Sequence, residues 1–177
     1  MSAASILVRA LTAEEAHACN GALSDILMDC VKGGASVSFM APLHDEKASA
    51  FWRGVANGVA RNDRALLVAE DAADGIVGTV QVVFAQPENQ PHRADIAKML
   101  VHRRARRRGI GAMLMEQAEA TARAAGRTVL VLDTATGSDA ERLYQRLGWQ
   151  RVGVVPDYAL WPDGRLCATT YYYKAVG

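Results

Sequence analysis

The chain is predicted to fold as an α+β sandwich of about seven strands and about four helices, and three observations carry that prediction. The strand-patterned and helix-patterned segments follow one another in mixed order, without the regular alternation of a doubly wound βαβ protein. Two strand patterns, 65–70 and 76–84, are separated only by Asp71, Ala72, Ala73, Asp74 and Gly75, a polar turn of hairpin length. A short apolar strand, Ile96 to Val101, runs through an arginine-rich turn with two glycines directly into an amphipathic helix.

Taken in order, Ile6 to Arg9 reads as a first strand. Thr12 with Glu15 forms a capping box for a helix carrying Ala16, Leu23, Ile26, Leu27 and Cys30. Lys32 to Met40 is a loop of small residues with an apolar tip, which either lines a pocket or connects two helices. Pro42 leads to a second helix from about Asp45 to Ala60. After the hairpin and the Ile96–Val101 strand, a third helix places Ile110, Met113, Leu114, Gln117, Ala118, Thr121, Ala122 and Ala125 on one face and ends at Gly126. Thr128 to Asp133 is a strand. Ser138 can cap a fourth helix with Leu143, Tyr144 and Leu147, and Gly148 stops it before strand Trp149 to Val155. Pro162, Asp163, Gly164 and Arg165 turn the chain into a last strand, Ala168 to Lys174.

The length of 177 residues, half of them hydrophobic, suits one domain with one substantial core. Twenty basic and nineteen acidic side chains leave a net charge of +1, so the arginine cluster is local and nothing global calls for nucleic acid. Without a long apolar run or a signal-like N-terminus, the expectation is a soluble cytoplasmic protein with no membrane partner. Cys19, Cys30 and Cys167 lack the spacing of a disulfide framework or a zinc site, so no metal is expected. A GxGxxG fingerprint after a strand and a P-loop ending are both absent. Monomer and homodimer are equally compatible with the chain.

The segment from Asp95 to Ala112 has the build of a pyrophosphate cradle. Free N–H groups at a helix start, the positive end of the helix dipole, and glycines that admit close backbone approach all favour a bound diphosphate. Arg103, Arg104, Arg106, Arg107 and Arg108 add positive potential there. The same run could also be a solvated patch or an import signal.

Arg106-Arg-Arg-Gly109-Ile-Gly111 resembles the [QR]xxGx[GA] signature of the GNAT superfamily of N-acetyltransferases, and Leu143-Tyr144-Gln-Arg-Leu-Gly148-Trp149 resembles its second motif. Gly33 to Met40, Leu132 to Ser138 and Pro162 to Leu166 further resemble the tabtoxin-resistance members. The resemblance implies a mostly antiparallel sheet splayed between its fourth and fifth strands, acetyl-CoA as donor, and an amine acceptor on a small amino-acid-like β-lactam toxin. It assigns Arg106, Arg107, Arg108, Gly109, Ile110, Gly111 and Ala112 to the pyrophosphate, and the backbone of Met99, Leu100 and Val101 to the pantetheine arm and the thioester carbonyl.

Acetyl transfer to an amine needs a base for the ammonium and an acid for the departing thiolate. By the resemblance, Asp95 and Asp133 are the candidate bases and Tyr144 the acid. Their plain alternatives are a salt bridge from Asp95 to Arg93 or Lys98, a turn cap for Asp133, and core packing for Tyr144. Asp95 stands where relatives carry Glu, shortening the reach by about an ångström. That departure motivates the rival reading of a non-catalytic acyl-CoA binding or sensing module. Ser36, Phe39, Asp133 and Tyr158 are the expected substrate contacts, within the Gly33–Met40 loop and the 156–163 region. A basic-patch nucleic-acid binder is a third class, which the near-neutral charge argues against.

Overall fold

The computed structural model describes residues 6–177. The strands are β1 (Ile6–Ala10), β2 (Arg64–Asp71), β3 (Gly75–Phe84), β4 (Arg93–Val101), β5 (Val129–Ala135), β6 (Gln150–Leu160) and β7 (Leu166–Ala175). They form a seven-stranded sheet in the order β1-β2-β3-β4-β5-β7-β6. Every neighbouring pair is antiparallel except β4 and β5, which run parallel. The expected α+β class and mixed, mostly antiparallel sheet are what the structure has.

Among the described residues five α-helices flank the sheet where about four were expected: α1 (Ala13–Ala18), α2 (Asn20–Lys32), α3 (Asp45–Ala60), α4 (Ile110–Ala124) and α5 (Asp139–Arg146). The extra one arises because the first predicted helix breaks at Cys19, which ends α1 and precedes α2. Asn20 then anchors the new helix by donating from Nδ2 to the Ser49 carbonyl of α3 at 3.0 Å, a contact the sequence pattern does not report. The capping box is present: Thr12 Oγ1 accepts from Glu15 N–H, and Glu15 Oε2 accepts from Thr12 N–H at 2.8 Å. Such a cap typically contributes about 1 kcal/mol.

Two apolar layers cover the sheet faces. On one, Leu67, Val77, Ile96, Leu130, Leu132 and Tyr172 pack against Ile110, Leu114 and Met115 of α4 and Tyr144 of α5. On the other, Leu66, Val68, Ile76 and Leu100 meet Leu23, Ile26 and Leu27 of α2 and Trp52 of α3. Alternate residues of one strand thus feed opposite layers, as a two-residue period requires. Gly78 lets α4 approach, because a Cβ there would stand 3.1 Å from Leu114 Cδ1 and 3.2 Å from Ile110 Cγ2.

β6 runs past its predicted end at Val155 to Leu160, with a register shift between Val155 and Ala159. Pro156 is tolerated because β6 is an edge strand, where a missing donor breaks no ladder. The 156–163 region is therefore strand to Leu160 and turn only beyond it.

Candidate active site

β4 and β5 pair only through Arg93 with Val129, Ala94 with Leu130, and Asp95 with Val131. Beyond Asp95, β4 stays with β3 and β5 stays with β7, so the sheet opens between its fourth and fifth strands. The edge of β4 from Ile96 to Val101 faces this opening with no strand partner on that side, which is how a sheet accepts an extended ligand. The side chains there are packing groups: Leu100 is buried against the α2–α3 layer, and Met99 and Val101 rest on the α4 layer.

At one face of the opening lies the turn into α4. Arg107 and Gly109 both adopt left-handed backbone, φ 61° and 76°, and Gly109 is the residue before the first helical turn. The N–H groups of residues 107–112 have no hydrogen-bond partner among the described residues, and the first turn of α4 contains no acidic side chain. Converging free donors at a helix start with no internal anion competing for them fit a diphosphate. Gly111 packs closely, since a Cβ there would lie 3.0 Å from Leu143 Cδ2 and 3.6 Å from Met99 Sδ.

The arginines divide their work in a way the run of identical letters conceals. Arg103 is paired to Asp29, Arg104 reaches Asp25 at 3.4 Å, and Arg108 is paired to Asp71 at 2.5 Å. These three hold the turn in place and are largely neutralised by the protein's own carboxylates. Arg106 donates from Nε to the Val101 carbonyl at 3.2 Å, and Arg107 has no ion pair among the described residues. His102 is mostly enclosed: its Nδ1 accepts from Arg104 N–H at 3.2 Å, and Nε2 lies 3.5 Å from Asp25.

The other face of the opening holds a cavity of 290 Å³ lined by Ser36, Ser38 and Phe39 of the α2–α3 loop, Asp133 at the end of β5, Tyr158 of β6 and Thr169 of β7. The four expected substrate contacts, Ser36, Phe39, Asp133 and Tyr158, are brought together there. The loop is fastened to the β6–β7 tip by Ser36 Oγ donating to the Leu160 carbonyl at 2.9 Å and Ala41 N–H donating to the Pro162 carbonyl at 3.1 Å. Tyr171 donates its hydroxyl to that of Tyr158 at 2.8 Å, and this bond, with burial and nearby Asp133, pushes the Tyr171 phenol up to about 12. Ser38 falls within the expected Gly33–Met40 loop, whereas Tyr171 and Thr169 were missed in the sequence. Tyr171 is the register partner of Asp133, a long-range pairing with no local signature.

The two aspartates differ. Asp95 is paired with Arg93 at 2.6 Å, one of its plain alternatives, and does not pair with Lys98. Asp133 has no ion pair among the described residues and lies 3.5 Å from the Thr169 hydroxyl, with its side chain at the cavity wall. It caps no turn through its carboxylate. Tyr144 is only 5% exposed, its ring centroid 6.1 Å from those of Trp149 and Tyr172. Burial holds its phenol well above the ordinary tyrosine range, and the charge of Asp133 adds to the shift. A neutral phenol on one side of an opened sheet and an ionisable carboxylate on the other can supply and take up a proton, respectively. Ser138 precedes α5 as expected, but its hydroxyl lies 3.3 Å from Thr134 Oγ1 and does not cap the helix; Gly137 N–H donates to Glu141 instead.

Solved structures share this architecture. An N-acetyltransferase from Staphylococcus aureus Mu50 superposes with a TM-score of 0.80 at 18% identity, covering 98% of this chain and 99% of its own. A ribosomal-protein-alanine N-acetyltransferase from Brucella melitensis gives 0.79 at 23% identity, covering 96% and 99%. A GNAT superfamily phosphinothricin acetyltransferase from Sinorhizobium meliloti, in complex with acetyl-CoA, gives 0.79 at 17% identity, covering 97% and 89%. Residues 62–151, which contain the opened strand pair, the turn into α4 and Tyr144, match the acetyltransferase (GNAT) domain. The chain belongs to the GNAT acetyltransferase family.

Proposed function

We propose that the protein transfers the acetyl group of acetyl-CoA to the amine of a small molecule by direct attack within a ternary complex. The observation that carries this is the opening beyond Asp95 and Val131, with free N–H donors of residues 107–112 at one face and the Asp133-lined cavity at the other. Acetyl-CoA would supply an activated acyl group whose thiolate departs. The N–H groups of residues 107–112, with Arg106 and Arg107, would hold its diphosphate, and the free edge of β4 would align its arm.

Asp133, directly or through a water, takes the proton that keeps an alkyl ammonium of pKa about 10 from acting as a nucleophile. Its carboxylate has no ion-pair partner among the described residues and is open to the amine, whereas that of Asp95 is occupied by Arg93. Tyr144 keeps a proton available for the leaving thiolate because burial suppresses its ionisation.

The finer proposal is an amino-acid-like acceptor of the β-lactam toxin type. It is supported by the Gly33–Met40 segment that carries the tabtoxin-resistance resemblance, since Ser36, Ser38 and Phe39 of that segment line the cavity. The fold alone does not choose the acceptor: two neighbours of equal TM-score are named for phosphinothricin and for ribosomal-protein alanine. The test is a thiol-release assay over amino acids, β-lactams, polyamines and aminoglycosides, with mass spectrometry for a gain of one acetyl group. Tight acetyl-CoA binding without turnover on any amine would favour the rival non-catalytic acyl-CoA binding or sensing module, the reading to which the Asp95–Arg93 pairing lends support.

A further inference from the structure

Lys98 occupies an irregular position on β4. The β3–β4 register passes from Thr79 opposite Leu100 to Gln81 opposite Ala97, so Lys98 falls in the bulge between them, with φ at 50°. Left-handed backbone at a residue with a side chain costs roughly 1–2 kcal/mol, and bulges that aim a side chain recur beside functional sites. Here the side chain is sent toward the cavity side of the opening. Its Nζ donates to Ser38 Oγ at 3.1 Å and lies 5.8 Å from the centre of the Phe51 ring. Phe51 in turn makes an edge contact with Phe39 of the cavity wall, at 5.3 Å between centroids.

This ammonium has no carboxylate within ion-pair distance among the described residues. The contrast is Lys174, also sheltered, whose Nζ meets both oxygens of Glu119 at 2.8 Å and the Leu147 carbonyl at 2.7 Å. Burial lowers the pKa of Lys98 and the charge of Asp133 opposes that fall, so the site holds a cation whose desolvation is compensated only in part. The Ser38 hydroxyl accepts from Lys98 and still has its own proton to donate. Ser38 therefore presents a hydroxyl at the cavity wall with the Lys98 ammonium directly behind it, while Asp133 presents the opposite charge from β5.

We propose that Lys98 and the Ser38 hydroxyl hold a carboxylate of the acceptor, making the preferred substrate a zwitterionic amino acid or its analogue, to the exclusion of polyamines and aminoglycosides. The inference rests on the acetyltransferase reading. Lys98 is a specificity residue in it: it fixes the acidic end so that the amine is directed to Asp133.

The test compares free amino acids with their own carboxamides, at saturating acetyl-CoA, in the full chain and in Lys98→Met, Lys98→Arg and Ser38→Ala. In the wild type, amidation should lower kcat/KM by about tenfold or more, mainly through KM, as loss of one charged hydrogen-bonded contact predicts. Lys98→Met should lose a similar factor on the free acid and nothing further on the amide. Lys98→Arg should keep part of the discrimination, and Ser38→Ala should reduce it, which preserves the test if the methionine variant folds poorly. Equal use of acids and amides by the wild type, undiminished discrimination in Lys98→Met, or better turnover of spermidine than of any amino acid would overturn the assignment. Should no amine be acetylated, the transferase reading falls separately. Calorimetric titration of the same acids and amides into coenzyme A-loaded protein then decides the Lys98 site: selective binding of the acids upholds it, and equal or absent binding of both removes it.

Discussion

Arg108 of the turn into α4 donates from Nη2 to Asp71 Oδ2 at 2.5 Å, tying the proposed diphosphate cradle to the β2–β3 hairpin 37 residues earlier. The Asp71 side chain is 1% exposed, and its other oxygen accepts from Ala73 N–H at 2.8 Å and Asp74 N–H at 3.2 Å. One carboxylate therefore shapes a hairpin turn and positions an arginine.

Those bonds, Ala73 N–H first and Arg108 next, hold the Asp71 carboxyl below the usual carboxylate range. A group whose pKa is lowered by folding stabilises the fold above its unfolded pKa of about 4 and loses that contribution as the pH falls further. Asp71→Asn should lower the urea midpoint at pH 7 and raise KM for acetyl-CoA. The gap in midpoint between wild type and variant should narrow on going from pH 5 to pH 3, measured by circular dichroism.

Gly109→Ala and Gly111→Ala should separate two roles of the glycines. At Gly109 a Cβ meets nothing within 4 Å, so the penalty is the left-handed backbone, about 1 kcal/mol, or about fivefold if it falls on coenzyme binding. At Gly111 the added Cβ presses on Leu143, next to Tyr144. The first variant should raise KM for acetyl-CoA, and the second should lower kcat; steady-state kinetics resolves them.

Tyr144→Phe keeps the ring between Trp149 and Tyr172 and removes only the phenolic proton. We expect kcat to fall about 100-fold, with KM for acetyl-CoA little changed. Because burial raises the phenol's pKa, the wild-type kcat should show no decline from tyrosine ionisation up to about pH 10. A phenylalanine variant with unaltered kcat would remove Tyr144 from the chemistry.

Asp133→Asn should cost about 100-fold in kcat at pH 7 and recover toward pH 9.5, where more of the acceptor amine is free without help. Asp95→Asn breaks a partly exposed pair with Arg93, its side chain 42% exposed, and should change kcat by no more than about threefold. Matched pH profiles of the two variants make the comparison.

Much of this was legible in the sequence wherever the signal is local. The capping box at Thr12 and the glycines at the start of α4 depend on residues within a few positions and appear as read. The buried face of α4 keeps Ile110, Leu114, Ala118 and Ala122 but takes in Met115 and Glu119 and leaves Gln117 and Ala125 exposed, because Glu119 is drawn inward by Lys174 and Trp149. The break at Cys19 was hidden in the local pattern, and the contact beside it, Asn20 reaching across to Ser49, joins residues 29 apart in the chain. The arginine run was read as one positive patch because its carboxylate partners, Asp25, Asp29 and Asp71, come from other elements. Lys98 looked like an ordinary strand residue, since its bulge exists only in the register with β3.

The fastening of the α2–α3 loop to the β6–β7 tip has a further bearing on how such an enzyme could change over time. Ser36 and Phe39 lie before the stretch 62–151, and Tyr158 and Thr169 lie after it, so most of the cavity wall is encoded outside the segment that builds the opened strands and the turn into α4. On the proposed division of roles, mutational drift in those two flanking stretches would retool acceptor choice while donor handling stayed intact, giving one inherited engine interchangeable fittings.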